Sequence, residues 1–195
     1  MRSYVIAYHL IWTAYGTWLP NDPRGSTSRS VAGKKIFDLG PLHYGRRVVQ
    51  PAPIVVHEFK NRAREQLLFP VIELDGEATR VVAEAFAETI VTESYTCYAC
   101  AIMPDHVHLV VRKHKHRAEE MINRLQQASR LRFSISLEPI DHPLWTLGGW
   151  KGFLSSPEQA RRVIRYVELN PIKSGLPTQH WPFVEVYDGW PKQPR

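Results

Sequence analysis

Apolar residues run almost unbroken over residues 4–12, rich in Tyr, Val, Ile and Trp, the pattern of a strand at a sheet centre or covered on both faces. From Pro20 to Pro53 the composition turns to Pro, Gly, Ser and Arg, so a long loop with little core of its own is expected there. Helical spacing returns twice: a basic helix over 56–69 ending before Pro70, and one over 77–94 with Val81, Val82, Ala85, Phe86, Thr89 and Ile90 in step. Residues 97–103 and 106–112 read as two strands joined by a tight turn at Pro104-Asp105. A helix over 118–133 follows, with Met121, Ile122, Leu125, Ala128 and Leu131 on one face and a basic opposite face. The Trp-rich stretch 144–154, broken by Gly148-Gly149, adds a further strand and turn. Ser156 as N-cap, Pro157 in the first turn and Gln159 completing a capping box then open a last helix running to about Asn170, where Pro171 disfavours continuation.

This order of elements fits an α+β fold: an antiparallel sheet with helices on one face, ferredoxin-like in outline, rather than a doubly wound parallel sheet. With 195 residues, 44% of them hydrophobic, the chain supports one domain, 1–195, with a loop insertion around 20–55. It has neither a run long enough to span a membrane nor a leader cleavage pattern, so a cytoplasmic protein with no membrane partner is expected.

Charge narrows the partners. Lys and Arg number 25 against 19 Asp and Glu, a net +6 with pI near 9.4, so polyanions are plausible. The excess sits in the second half, where Arg112, Lys113, Lys115 and Arg117 crowd together with His114 and His116, followed by Arg124, Arg130, Arg132, Lys151, Arg161, Arg162 and Arg165. His114 and His116 repeat a ligand-like spacing, but among so many cations they read as a phosphate-contacting or solvated segment. Trp145, Trp150 and Phe153 are candidate platforms for unpaired bases. The two cysteines, Cys97 and Cys100, exclude a disulfide scaffold and suit a reducing compartment. On a strand, residues three apart face opposite ways and no second Cys pair exists, so both read as buried hydrophobes rather than zinc ligands.

The sharpest chemical signal is Met103-Pro104-Asp105-His106-Val107-His108-Leu109-Val110-Val111. On a strand His106 and His108 share a face with Cα atoms roughly 6.6 Å apart, close enough to converge on one ion, while Val107, Leu109 and Val111 anchor the other face. On the last helix Ala160, Val163, Ile164 and Val167 make an apolar stripe bordered by Tyr166 and Asn170, with Arg162 just beyond. Tyr166 is a candidate nucleophile, needing a cation or base nearby. Asn170 could lend a carbonyl oxygen to a metal, or cap a helix end before Pro171.

The string from Met103 to Val111, paired with Tyr166-Val167-Glu168-Leu169-Asn170-Pro171-Ile172-Lys173-Ser174-Gly175-Leu176, resembles the single-tyrosine HUH transposases of the IS200-like group, most closely the REP-associated tyrosine transposases. Tyr15-Gly16-Thr17-Trp18-Leu19-Pro20 and Asp22-Pro23-Arg24-Gly25 are also similar to that group. The resemblance implies a ferredoxin-like, RRM-like HUH endonuclease fold acting on single-stranded DNA with hairpins, REP-like or at element ends. It implies metal ligation by His106, His108 and Asn170, attack by Tyr166, and a 5′-phosphotyrosine intermediate in cleavage and strand transfer. The divalent metal expected is Mg²⁺ or Mn²⁺, although imidazoles also bind Zn²⁺. DNA contacts are expected from Arg112, Lys113, Lys115, Arg117, Arg124, Arg130, Arg162 and Arg165. The alternative is a domesticated or inactive nucleic-acid-binding module of the same fold. A monomer and a homodimer that exchanges the Tyr helix both remain open.

Overall fold

The computed structural model describes residues 4–26, 28, 34–45, 47–137 and 139–191. Strand β1 (Ala7–Thr13) leads through helices α1 (Lys34–Phe37), α2 (Pro53–Gln66) and α3 (Gly76–Thr92) to the hairpin of β2 (Cys97–Ile102) and β3 (His106–Arg112). Helix α4 (Ala118–Ser136), β4 (Trp150–Leu154), α5 (Pro157–Glu168) and α6 (Asn170–Lys173) follow. The strands form one antiparallel sheet in the order β2-β3-β1-β4, so β3 lies between β1 and β2 in the split β-α-β manner of ferredoxin-like folds.

Strand alternation divides the core into two layers. On one face Tyr8, Leu10, Trp12, Val107, Leu109 and Val111 pack against Val82, Phe86 and Ile90 of α3 and Met121, Ile122 and Leu125 of α4. On the other, Ala7, Ala99, Ala101, Val110 and Leu154 receive the stripe of α5, Ala160, Ile164 and Val167. Helices therefore cover both faces, where the element order alone suggests one. Helix α5 closes the second face because β4 ends beside β1 and the chain turns straight back over the sheet. This second layer is thin, built on alanines and one helix, which leaves polar side chains of the same face reachable at its border.

Local signals set the helix limits. Asp75 caps α3 by accepting from the Ala78 N–H at 2.8 Å, and Ser156 caps α5 by accepting from the Gln159 N–H at 3.2 Å. The Gln159 side chain returns to the N–H of Ser155 rather than of Ser156. Helix α5 stops at Glu168, and Asn170 already belongs to α6, so Tyr166 and Asn170 flank a helix junction rather than sharing one helix. The expected 56–69 helix runs over Pro53–Gln66, its Pro in the first turn. Within the expected 20–55 loop the chain forms α1 and a staple in which the buried carboxylate of Asp22 pairs with Arg24 at 2.7 Å and Arg24 lies 3.8 Å over the Trp18 ring. Residues 27, 29–33 and 46 of that segment lie outside those described.

A register shift between Cys97 and Ala99 turns both cysteines into the α3/α4 core, contrary to the opposite facing expected of a regular strand. Both are buried free thiols, and burial pushes Cys97 up to about 12. Gln179 covers the outer edge of β2 by pairing with both the N–H and C=O of Ile102. Among the described residues no helix is long and apolar enough to cross a membrane.

Candidate active site

The expected histidine pair forms. His106 and His108 project from one face of β3 with ring centroids 4.8 Å apart, and Val107, Leu109 and Val111 are buried behind them. The register opposes His108 to Ile11 and Val110 to His9, so His9 of β1 emerges on the same face. Its Nε2 lies 3.0 Å from Nδ1 of His108. Nδ1 of His106 is engaged in the same way by Asp105 Oδ1, at 2.6 Å. The turn holding Asp105 is pinned by its own carbonyl, which accepts from the Ala14 N–H at 2.9 Å and the Thr17 hydroxyl at 2.9 Å.

Burial sets the protonation. It pushes His9 down to about 4, and burial, then the neighbouring charges of His106 and His9, push His108 down to about 2. Both are therefore neutral at neutral pH. For Asp105, burial acts to raise the carboxyl, but the His106 hydrogen bond and the positive charges of His106, Lys60 and Arg24 outweigh it and hold it low. With the proton of His108 on Nδ1, His9 accepts it through Nε2, and Nε2 of His108 keeps its lone pair; the neutral form of His106, donating to Asp105 through Nδ1, does the same. Two imidazoles, each with Nδ1 held by an outer partner and Nε2 free, have the form of a divalent-metal pair. Among the described residues no group of three His, Cys, Asp or Glu is placed to hold a metal. The side-chain nitrogen of Asn170, the residue expected as a third ligand through its carbonyl oxygen, is buried without a hydrogen-bond partner among the described residues.

Tyr166 comes to the same place within one chain. Its ring stands edge-on to His108 at 5.7 Å and to His9 at 6.1 Å, and Lys173 Nζ lies 5.5 Å from the ring centroid. The burial of Ile164 and Val167 fixes this position, because the stripe that seats α5 on the sheet turns Tyr166 to its border, where the residue stays 45% exposed. A nucleophile needs that access.

The expected DNA contacts separate. Arg162 and Arg165 are exposed on the Tyr166 helix. Arg112 and Lys113 lie at the other end of β3, roughly 20 Å of strand from His106, and sit over the Trp190 and Tyr4 rings at 4.1 and 4.5 Å. Lys115 and Arg117 follow at that end. Arg124 and Arg130 belong to α4, on the far side of the sheet, where Arg124 pairs with Glu93 at 2.7 Å. Of the aromatic candidates, Trp145 is buried and donates to Ser129, and Phe153 packs on Tyr8 on the α4 side. Trp150 alone is beside the site, edge-on to His9 at 5.6 Å and 43% exposed. Gly152 makes room for it: a Cβ there would lie 2.7 Å from the indole. His114 and His116 pack with Tyr95, whose hydroxyl is 2.9 Å from His116 Nδ1, away from the His106–His108 pair.

Sequence reasoning missed His9 as a site residue, although a histidine inside an otherwise apolar strand was a signal. It also missed Lys60 and Arg64 of α2, which line a cavity together with His106.

A family model described as Transposase IS200 like matches residues 70–169, from the segment between α2 and α3 through the Tyr166 helix. Two solved structures are similar at low identity. A chain from Deinococcus radiodurans R1 described as a candidate transposase is 15% identical with TM-score 0.40, covering 85% of this chain and 90% of that one. A REP-associated tyrosine transposase bound to a REP hairpin is 10% identical with TM-score 0.47, covering 94% of this chain and 79% of that one. No curated protein matches the chain.

Proposed function

We propose, from the premise that this chain belongs to the IS200-like transposase family, that it cuts and rejoins single-stranded DNA through a tyrosine ester on Tyr166. The observation that carries this reading is the meeting, within one chain, of an exposed Tyr166 with the His106–His108 pair, its ring 5.7 Å from that of His108.

His106, His108 and Asn170 would hold a divalent cation, Mg²⁺ or Mn²⁺. Such an ion, when bound, polarises a non-bridging phosphate oxygen and stabilises the charge that develops in the transition state. The chain's residues do the rest. Asp105 and His9 orient the two imidazoles and keep their Nε2 lone pairs available. Tyr166 attacks the phosphorus through its hydroxyl oxygen and gives up the phenolic proton. A new O–P bond forms to the tyrosine, and the bond from phosphorus to the leaving 3′ oxygen breaks. That oxygen takes up a proton, leaving a 3′-hydroxyl and a 5′-phosphotyrosyl enzyme. Attack by a 3′-hydroxyl on this ester reverses the exchange and joins strands, with no other energy source. Lys173 beside the Tyr166 ring and Arg162 and Arg165 on its helix supply positive charge where the phosphate must come. Trp150 offers an indole face to an unpaired base.

The substrate class that the family resemblance implies is hairpin-forming single-stranded DNA, in the cytoplasm. The test is incubation of a pool of hairpin-bearing single-stranded oligonucleotides with the protein and Mg²⁺ or Mn²⁺. Cleavage that stops on chelation and is absent in Tyr166→Phe supports the reading. Cleavage by Tyr166→Phe at the wild-type rate overturns it, and binding without any cleavage supports a nucleic-acid-binding module instead.

A further inference from the structure

Next to His106 the surface drops into a cavity of about 430 Å³. One wall is the turn carrying Asp105 and His106, the facing wall is Val71 and the Lys60 and Arg64 side of α2, and Leu176 closes the end beyond α6. The α2 wall is built into the fold. Gly16 has φ +77°, and a Cβ on it would lie 2.8 Å from Leu67 Cδ1 and 3.1 Å from Val71 Cγ2, so the chain leaving α2 is pressed against the loop after β1. The Ile72 N–H donates to the Tyr15 carbonyl at 3.0 Å and the Leu74 N–H to the Pro104 carbonyl at 2.8 Å, tying the same segment to both sides of the site.

The two cations of this wall differ. Arg64 pairs with Glu73 at 3.2 Å. Lys60 is half-buried and makes no hydrogen bond or ion pair with a described residue, and Asp105, whose carboxyl its charge helps to hold low, is already committed to His106. A half-buried ammonium without a partner among the described residues, at a small cavity that joins apolar Val71, Met103 and Leu176 to polar groups and whose two carboxylates, Glu73 and Asp105, are paired with Arg64 and His106, suits an anionic ligand carrying an apolar body. A nucleotide is such a ligand. The volume is within the range of sites that enclose small molecules, ~300–1,000 Å³. His106 lines both this cavity and the catalytic pair, so a strand whose reacting phosphate lies at the pair continues directly into the cavity.

We infer that the cavity receives the nucleotide flanking the reacting phosphate, with its phosphate on Lys60 and its sugar and base against Val71 and Leu176. The inference rests on the single-strand reading proposed above. It adds a subsite from α2, a helix outside the residues matched by the family model.

The experiment measures fluorescence anisotropy of a labelled oligothymidylate over a series of salt concentrations with wild type, Lys60→Ala, Lys60→Arg and Arg62→Ala. Arg62 is exposed on the same helix and does not line the cavity, so its variant removes an equal charge from outside it. Lys60→Ala is expected to weaken binding about fivefold to tenfold and to lower the slope of log affinity against log salt by about 0.7, the loss of one phosphate contact on a single strand. Lys60→Arg is expected to retain binding, and Arg62→Ala to change it less than twofold. Equal effects of Lys60→Ala and Arg62→Ala would show only a diffuse positive field and overturn the subsite, as would a Lys60→Ala protein within twofold of wild type. Wild-type protein that binds neither the oligothymidylate nor a hairpin-bearing single strand would instead defeat the single-strand reading itself.

Discussion

Nε2 of His9 on β1 stands 3.0 Å from Nδ1 of His108 on the adjacent β3, their rings stacked at 5.2 Å. Ninety-nine positions apart in the chain, they are brought together by the β1–β3 register, and both are almost wholly buried. A neutral imidazole has one N–H, so the partner at Nδ1 decides whether Nε2 is a donor or a lone pair. His9, as acceptor, favours the tautomer of His108 that can ligate a cation. His9→Phe fills the space but cannot accept. Isothermal titration with Mn²⁺ is expected to show about 10- to 100-fold weaker binding for this variant, the usual cost of losing an outer partner of a ligating histidine. Melting temperature read alongside separates this from loss of fold. Unchanged affinity in a folded variant would remove His9 from the site.

The same burial gives the metal-free protein an acid sensitivity. His9 is depressed to about 4 and His108 to about 2, both below the ~6.5 of an unfolded histidine. Below pH ~6.5 the unfolded chain binds protons that the folded chain refuses, so folding stability falls as pH falls. Their contribution is complete above about 6.5 and is lost on the way down, through about 4 for His9 and further for His108, with a slope approaching ~1.4 kcal/mol per pH unit for each histidine. Urea unfolding at stepped pH measures this, and His9→Phe is expected to flatten the part due to His9. A wild-type profile level between pH 6.5 and 4 would contradict the buried neutral pair.

Trp150 lies edge-on to His9, held over Gly152, while Phe153 faces the other side of the sheet. Trp150→Ala is expected to weaken binding of a single-stranded oligonucleotide by about 1–3 kcal/mol, the range for one stacked base. Phe153→Ala is expected to leave it nearly unchanged. Anisotropy titrations of the two variants decide: equal losses would mean that the aromatic contact is not at the site.

How much of this was legible in the sequence follows from how local each relationship is. The parity of His106 and His108 is fixed within three residues of one strand, and the stripe that places Tyr166 is fixed within three turns of α5. Both could be read directly, as could the turn at Pro104-Asp105 and the cap at Ser156. His9 could not be assigned to the site, because only the β1–β3 register sets its ring against His108. Lys60 is more remote still, since α2 reaches His106 by folding back over the loop at Gly16. The bulge at Cys97–Ala99 defeated strict alternation. The basic residues of the second half read as one surface, but they divide between the Tyr166 helix, the end of β3 beside Trp190 and the α4 layer, because charge along a chain does not reveal which side of a sheet its helix covers.

The most direct measurement is mass spectrometry of the protein after reaction with a single-stranded hairpin substrate in Mg²⁺, followed by proteolysis and mapping of the nucleotide-bearing peptide. The adduct is expected on Tyr166 and is expected to vanish in Tyr166→Phe and with a chelator. An adduct on another tyrosine, or cleavage with no covalent protein–DNA species, would contradict the assignment of Tyr166 and the histidine pair as one active centre.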